Sequence, residues 1–316
     1  MIADTTSIVF AYSEVGARCL SALFDAGIRV PLVVTHQDDP NEHRWFASVA
    51  EVARGAGCRV ITPADPAAQS VLAEIEAIAP TFLFSFYYRQ MLPESILRLA
   101  SRGALNMHGS LLPHYRGRAP INWAVLHGES ETGATLHYMT AKPDAGPVVD
   151  QERVPIGPDD TAIEVANRVA DAAVTVLLRS LPGLIAGTAP AIPLNLSEGS
   201  YFGGRKPQDG EFRLDWSATR IHNLVRAVAP PFPGAYARWG HSLLKVHRTR
   251  RLDSPAKHLN LGPCLVLEAG TVIAECGDGA RLELIDAYLD DTRLDTTNFS
   301  HLLGNGPVAA RPHTET

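Results

Sequence analysis

Two stretches of the chain carry polar side chains at spacings that suit a proton-transfer reaction. The first, GALNMHGSLLPHYRGRAPINWAV (103–125), opens as a short strand, so Asn106 and His108 fall on one face near its carboxyl end. A loop shaped by Gly and Pro follows, holding Ser110, Pro113, Arg116, Gly117 and Arg118, and Pro120 suits the first turn of a new helix. The second stretch, TLHYMTAKPDAGPVVDQ (135–151), runs from a strand into a turn built on Pro143, Asp144 and Gly146. Alone, each residue has an ordinary structural use: a hydrogen-bonded histidine, a capping asparagine, an aspartate in a turn. Together they make acid–base chemistry available. An aspartate beside an imidazole favours the charged ring, raises its pKa and fixes its orientation. His137, inside the second strand, reads as packing, and His36, His43, His114 and His127 show no metal-ligand spacing, so no metal is expected.

The elements that must position these residues alternate. SIVFAY (7–12), IRVPLVVTH (28–36), CRVIT (58–62), TFLFSFYY (81–88) and GALNMH (103–108) read as strands. Ser13 suits the N-cap of a helix whose Val15, Leu20, Leu23 and Phe24 recur at helical spacing until Gly27, and further helices are expected over 41–54, 67–78 and 93–101. Pro31 has to sit where the ladder needs no donor. Strands that are apolar throughout, separated by amphipathic helices, imply a mostly parallel, doubly wound Rossmann-like α/β sheet with ligands beyond its carboxyl edge. The first turn, AYSEVG, lacks the GxGxxG cradle, which argues against a dinucleotide.

A long helix is expected over 160–187, and SEGSYFGGRKPQDGEF (197–212) has the Gly, Pro and polar content of a linker. A helix over 217–229 and the runs GAYARW, SLLKVHR, CLVLEAG, TVIAECGDG and ARLELIDAY predict a small β-rich barrel of OB-like type. The expected domains are thus a catalytic domain at 1–200, a linker at 201–210, the barrel at 211–305 and a flexible tail at 306–316.

Net charge of -6 gives no general attraction to phosphate backbones, so no nucleic-acid partner is expected. Cys19, Cys58, Cys264 and Cys276 fit neither a zinc knuckle nor a disulfide framework. MIADTTSIVFAY is no signal peptide, and no run of roughly 18 apolar residues is apparent, so the expectation is a cytoplasmic protein without membrane insertion. Self-association stays open.

HGSLLPHYRGRAPINW (108–123) closely resembles the signature loop of the 10-formyltetrahydrofolate-dependent formyltransferases, and Asp144 in KPDAGPVVDQ stands in the matching downstream place. The resemblance covers nearly the whole chain. It implies the formyltransferase fold, 10-formyltetrahydrofolate as co-substrate, and Asn106, His108 and Asp144 as the catalytic set. It further implies that the folate lies between SFYYRQML (85–92) and the 109–118 loop. Gln90, Met91 and Leu92 would offer backbone to the pterin, while Arg118, Thr140, Ala141, Lys142, Pro143 and Asp144 line the same pocket. The substrate amine attacks the formyl carbon, Asn106 and a protonated His108 meet the developing oxyanion, and His108 carries the proton.

The acceptor is a finer question. Methionyl-tRNA formyltransferases open with a GTP-type turn and carry an early basic insertion, whereas this chain reads FAYSEVG (10–16) and the short, acidic THQDDPNEHRW (35–45). FAY, THQDDP, FSFYYR, the 106–123 segment, YFGGRKPQDGEF, IHNLVRAVAPPFPGA and CGDGA resemble the formyltransferase half of the bifunctional enzymes that formylate UDP-4-amino-4-deoxy-L-arabinose in lipid A modification and polymyxin resistance. Their decarboxylase half has no counterpart here. The implied partner is that nucleotide-linked amino sugar, with a dTDP-linked amino sugar or methionyl-tRNA as alternatives. Tyr12, Ser110, Tyr201, Arg205 and Lys206 are the expected sugar-nucleotide contacts, with Phe202 beside them. His222, Asn223 and Arg226 share one helix, and packing explains them as well as substrate contact does. A formyl-folate hydrolase using water, or a non-catalytic binder, is the reading from another class.

Overall fold

In the computed structural model, which describes residues 5–38, 45–304 and 306–309, the apolar runs become strands in the expected alternation. Chain order begins β1 (Thr6–Ala11), α1 (Ser13–Asp25), β2 (Arg29–Val34), α2 (Val49–Gly55), β3 (Arg59–Ile61), α3 (Gln69–Ile78), β4 (Phe82–Phe86), α4 (Glu94–Leu97) and β5 (Ala104–His108). It continues with β6 (Arg116–Gly117), α5 (Pro120–His127), β7 (Glu131–Tyr138), β8 (Val148–Pro155), α6 (Ala162–Ala186) and β9 (Tyr201–Phe202). The remaining elements are α7 (Ala218–Val228), β10 (Ala235–Trp239), β11 (Ser242–Leu252), β12 (Cys264–Glu268), β13 (Thr271–Glu275), β14 (Arg281–Leu289), β15 (Thr292–Arg293), α8 (Phe299–Leu303) and β16 (Val308–Ala309).

The first sheet runs β3-β2-β1-β4-β5-β7-β8. β1 to β5 are parallel, and β7 and β8 close the edge in antiparallel sense. Ile8, Phe10, Leu32, Val34, Ile75, Leu83 and Ile96 form a continuous buried cluster, each such side chain contributing about 1.5–3 kcal/mol of burial. Pro31 meets its requirement: the β1–β2 register shifts between Thr6 and Ile8, opposite the stretch that contains it. Because the strand order reverses at β1, the crevice beyond β1 and β4 is the natural ligand position.

Three sequence expectations shift by short distances. α1 begins at Ser13 itself, with Tyr12 at the cap and no side-chain cap bond. α2 is shorter than the expected 41–54 helix and starts after Ser48, whose hydroxyl accepts from Glu51 N–H at 3.4 Å. Residues 39–44, the centre of the acidic 35–45 stretch, and most of the expected 306–316 tail lie outside the described residues. The supposed linker also begins as structure, because β9 pairs with β6 in register Arg116↔Tyr201 and Gly117↔Phe202, anchoring the 109–118 loop. Ser200 adds to that anchor by accepting from Tyr115 N–H at 2.8 Å and Arg116 N–H at 3.0 Å.

The chain forms two compact units, and the division is not the continuous one expected. Of the described residues, those up to Ile121 join Glu131–Pro155 and Ala166–Gly203, while Asn122–Ser130 and Ile156–Val165 belong with the residues after Gly204. Hydrogen bonds supply the reason. Asn122 Nδ2 donates to Ala227 O at 2.7 Å, His222 Nε2 donates to Pro158 O at 2.8 Å, and Arg226 donates to Gly157 O at 3.3 Å. His222 and Arg226 therefore hold that unit together. Its sheet is an antiparallel half-barrel, ordered β10-β11-β14-β13-β12-β16 with β15 beside β14.

One helix, Ala162–Ala186, is long and apolar enough to cross a membrane by length and composition, contrary to the reading of the bare sequence. Half of its apolar window is buried in the protein. Asp171 and Arg179 on the helix form ion pairs with Arg18, Asp150 and Glu152, as suits a core helix with one wet face.

Candidate active site

β5 ends at His108, and its antiparallel pairing with β7 sets Asn106 directly opposite His137. The turn after β7 then returns Asp144 to the same place. Asp144 adopts a left-handed backbone with φ 48°, a conformation that costs a non-glycine residue roughly 1 kcal/mol or more and clusters at functional sites. Gly146 permits the return, since a Cβ there would stand 1.8 Å from Tyr138 O. Tyr87, Tyr115 and Ala119, with φ of 57°, 56° and 51°, carry the same strain around the site.

The side chains converge. His108 Nδ1 lies 3.5 Å from Asp144 Oδ1, and Asn106 Nδ2 lies 3.5 Å from the same oxygen. Gly117 N–H donates to Asp144 Oδ2 at 2.8 Å, and His108 Nε2 donates to Tyr115 O at 2.8 Å. Gly117 has φ +96° and no room for a Cβ, which would meet Phe202 O at 2.2 Å, so the β6–β9 pairing is what aims its N–H. His137, expected to be mere packing, is 1% exposed yet accepts from Asn106 Nδ2 at 3.1 Å and donates from Nδ1 to Tyr138 O at 2.9 Å. Spacing could not reveal this contact, because it depends on the β5–β7 register.

Electrostatics bears on the resting charge of His108. Burial is the largest influence on His108 and pushes its pKa below the usual histidine value, outweighing the raising effects of Asp144 and the Tyr115 carbonyl. The resting ring thus favours its neutral form, because it is 6% exposed and charging it forfeits hydration. Burial pushes Asp144 up, but the His108 ring, the His137 ring and the Gly117 N–H outweigh it and hold the carboxyl well below the usual range. In its neutral Nδ1–H form His137 lies 3.7 Å from Asp144 Oδ1 with no donor toward it, so its close contact at rest is with Asn106.

A cavity of about 540 Å³ opens over these groups. Of the residues expected at the folate, Gln90, Met91, Leu92, Arg118, Thr140, Lys142, Pro143 and Asp144 line it, as do Asn106, His108, His137 and Tyr201, whereas Ala141 does not. Leu97, Tyr88 and Met139 add an apolar wall. Arg89, Arg118 and Lys142 line it too, against one acid, Asp144, a balance that favours an anionic ligand. Two expected sugar contacts lie elsewhere. Ser110 is fully buried, its hydroxyl donating to His114 O at 2.6 Å. Tyr12 is 3% exposed, lying beneath the Arg89 guanidinium at 4.2 Å and edge-on to His36 and Phe46. Arg205 and Lys206 belong to the second unit, where Arg205 stacks over Trp123 at 4.8 Å and donates to Asp209 O at 2.9 Å.

The second unit brings His258, Cys264 and Glu275 within 4.8 Å of one another. Glu275 already accepts the N–H groups of Lys257 and His258, each at 2.9 Å, and Arg281 Nε lies 3.6 Å from it. That carboxylate is neutralised by a permanent cation, which is the arrangement of a structural ion pair.

Comparison with known proteins agrees with this geometry. Similar folds occur in the sugar 3N-formyl transferase WlaRD, solved in the presence of dTDP and 5-N-formyl-THF (TM-score 0.70, 17% identity, covering 90% of this chain and 97% of that one). They occur also in the N-formyltransferase from Helicobacter canadensis in complex with folinic acid and dTDP-3-aminofucose (TM-score 0.72, 19% identity, 91% and 100% covered). A third is a 4-N formyltransferase from Francisella tularensis (TM-score 0.61, 18% identity, 75% and 93% covered). Identities this low establish a shared fold. Residues 7–181 match the formyl transferase family and residues 205–294 match the formyl transferase C-terminal domain. With the two matches together covering most of its length, the chain belongs to the formyl transferase family.

Proposed function

We propose that the protein transfers the formyl group of 10-formyltetrahydrofolate to the amine of a nucleotide-linked amino sugar. The observation that carries this reading is the convergence of Asn106, His108 and Asp144 on one wall of a 540 Å³ cavity. The cavity suits the co-substrate: Leu92, Leu97, Tyr88 and Met139 offer a flat ring an apolar wall, and Arg89, Arg118 and Lys142 suit its carboxylates. When bound, the folate would supply an activated formyl carbon and a nitrogen leaving group.

The chain's own residues do the rest. Asn106 donates to the formyl oxygen as negative charge builds on it. His108, neutral at rest, has its bare nitrogen at Nδ1, because Nε2–H is given to Tyr115 O. Nδ1 takes the proton of the attacking amine and returns it to the departing folate nitrogen as the new C–N bond forms and the old one breaks. In between, the charged ring has an acceptor at each nitrogen, Tyr115 O at 2.8 Å and Asp144 Oδ1 at 3.5 Å. Gly117 N–H keeps Asp144 ionised and aimed. No metal enters this scheme.

For the acceptor we favour UDP-4-amino-4-deoxy-L-arabinose, on the resemblance of FAY, THQDDP, FSFYYR and YFGGRKPQDGEF to the enzymes that formylate it. A second reading, a dTDP-linked amino sugar, draws support from the ligands of two proteins of similar fold. Four unpaired cysteines are in keeping with a cytoplasmic setting. The test is an acceptor panel of UDP-4-amino-4-deoxy-L-arabinose, dTDP-amino sugars and methionyl-tRNA with 10-formyltetrahydrofolate, read by tetrahydrofolate release and product mass. Turnover with a nucleotide amino sugar and the gain of one formyl group is expected. Turnover with tRNA alone, or release without any acceptor, would overturn the reading.

A further inference from the structure

The hydrogen bonds at the end of β5 have a direction, and that direction reaches the reaction centre. His137 Nδ1 lies 2.9 Å from Tyr138 O, and a carbonyl can only accept, so Nδ1 carries the proton. Nε2 lies 3.1 Å from Asn106 Nδ2, and an amide nitrogen can only donate, so Nε2 holds a lone pair. One neutral tautomer satisfies both bonds at once. His137 is 1% exposed, so no solvent molecule stands ready to replace either partner.

An asparagine amide can turn over, exchanging its oxygen for its nitrogen at small intrinsic cost. Here it cannot, because the flip would set Asn106 Oδ1 against the Nε2 lone pair. The amide nitrogen has two hydrogens. One is taken by His137, and the other runs toward Asp144 Oδ1 at 3.5 Å, longer than a well-formed hydrogen bond. That second N–H is the one left for a closer acceptor in the cavity that Asn106 lines.

We infer that His137 is a positioning residue of the formyl transfer: it locks the Asn106 amide so that an N–H, and not the carbonyl oxygen, meets the formyl oxygen. The inference rests on the formyl-transfer reading for its kinetic half and on geometry alone for its structural half. A side chain at 137 that cannot accept frees the amide to turn, and a turned amide presents oxygen to oxygen where charge develops.

The test is a double-mutant cycle with His137→Leu, His137→Gln, Asn106→Ala and the His137→Leu/Asn106→Ala pair, using whichever nucleotide amino sugar the wild type formylates. His137→Leu should lower kcat about thirtyfold with KM for the formyl donor within about twofold, part of the ~10²–10³ that one oxyanion donor supplies. His137→Gln, whose Oε1 can accept, should recover most of that loss. In the Asn106→Ala background, His137→Leu should cost nothing further. An equal loss in both backgrounds, or an undiminished kcat, overturns the inference. Nitrogen NMR of the histidine rings in the wild type, run without substrates, tests the geometry separately. The Nδ1–H tautomer at His137 is expected, and an Nε2–H tautomer overturns the inference whatever the kinetics show. A wild type with that tautomer and no turnover would sink the formyl-transfer reading and leave the geometry standing.

Discussion

Asp144 in the first unit, its side chain 13% exposed, and Glu275 in the second, its side chain 2% exposed, are both carboxylates held below their usual pKa, and they are built for opposite ends. Glu275 lies opposite Arg281 in the β13–β14 ladder, and Arg281, itself 3% exposed, is also paired with Glu268. Burial pushes Glu275 up, but the N–H groups of Lys257 and His258 and the His258 ring bring it down overall. Its guanidinium partner never loses its charge. Glu275 also has the His258 imidazole at 3.3 Å, but Asp144 has its imidazole and backbone N–H on a strained turn that lines a cavity. A carboxylate with a permanent counter-ion holds a fold, and one whose partner's charge can change can steer a proton.

The sharpest way to break this contrast is to neutralise each carboxylate in turn. Asp144→Asn should lower kcat about 10³-fold, within the range of general acid–base catalysis. The melting temperature should fall by less than in Glu275→Gln, because the amide oxygen can still accept from Gly117 N–H. Glu275→Gln should do the reverse, costing about 3 kcal/mol in urea unfolding by leaving Arg281 undercompensated, with the rate per folded molecule unchanged. If both variants lose activity alike, or stability alike, the distinction fails.

A smaller effect is expected where the scaffold aims Asp144. Gly117→Ala places a Cβ against Phe202 O on a backbone at φ +96°, so it should cost about 1–3 kcal/mol of strain and lower kcat about tenfold by pulling the N–H from Asp144. Steady-state rates and thermal melts check both numbers. A fully active Gly117→Ala would show that the β6–β9 pairing does not orient the carboxylate.

The smallest effect is in the pH profiles. His108 is depressed below the ordinary value near ~6.5, and it acts in its neutral form. Log kcat/KM should therefore fall only as pH drops through that lowered value. Asp144→Asn removes an influence that raises the pKa and should move this acid limb further down. Glu275 behaves differently: its folded pKa is lowered, so its contribution to stability is present above the unfolded carboxyl value near ~4.3 and is lost as pH falls through the folded one. An acid limb that does not move in Asp144→Asn would show the two groups to be uncoupled.

How much of this was legible beforehand differs between the two regions. The doubly wound sheet was legible because β1, β2 and β4 are largely apolar on both faces, a pattern that survives without knowledge of pairing. Asn106, His108 and Asp144 were legible because polar groups at a strand end and in a turn stand out against that background. His137 was not, since its use depends on lying opposite Asn106 across an antiparallel pair. The resting charge of His108 was not legible, because its neighbour can be named from sequence while its burial cannot. Ser110 looked like a contact residue in a polar loop, yet its hydroxyl is spent on His114 O. The two inner segments that join the second unit were not legible for a similar reason: Asn122 and Pro158 bond to residues more than sixty positions away, and no local composition marks that.

The most direct measurement is the rate of tetrahydrofolate formation by wild type and His108→Ala with 10-formyltetrahydrofolate and a nucleotide amino sugar, after a binding assay with a folate analogue confirms that both proteins fold. Wild-type turnover that adds one formyl group, reduced about 10³-fold or more in His108→Ala with folate affinity intact, is the result we expect. A His108→Ala variant that turns over within a few-fold of wild type would contradict the assignment of the chemistry to this site.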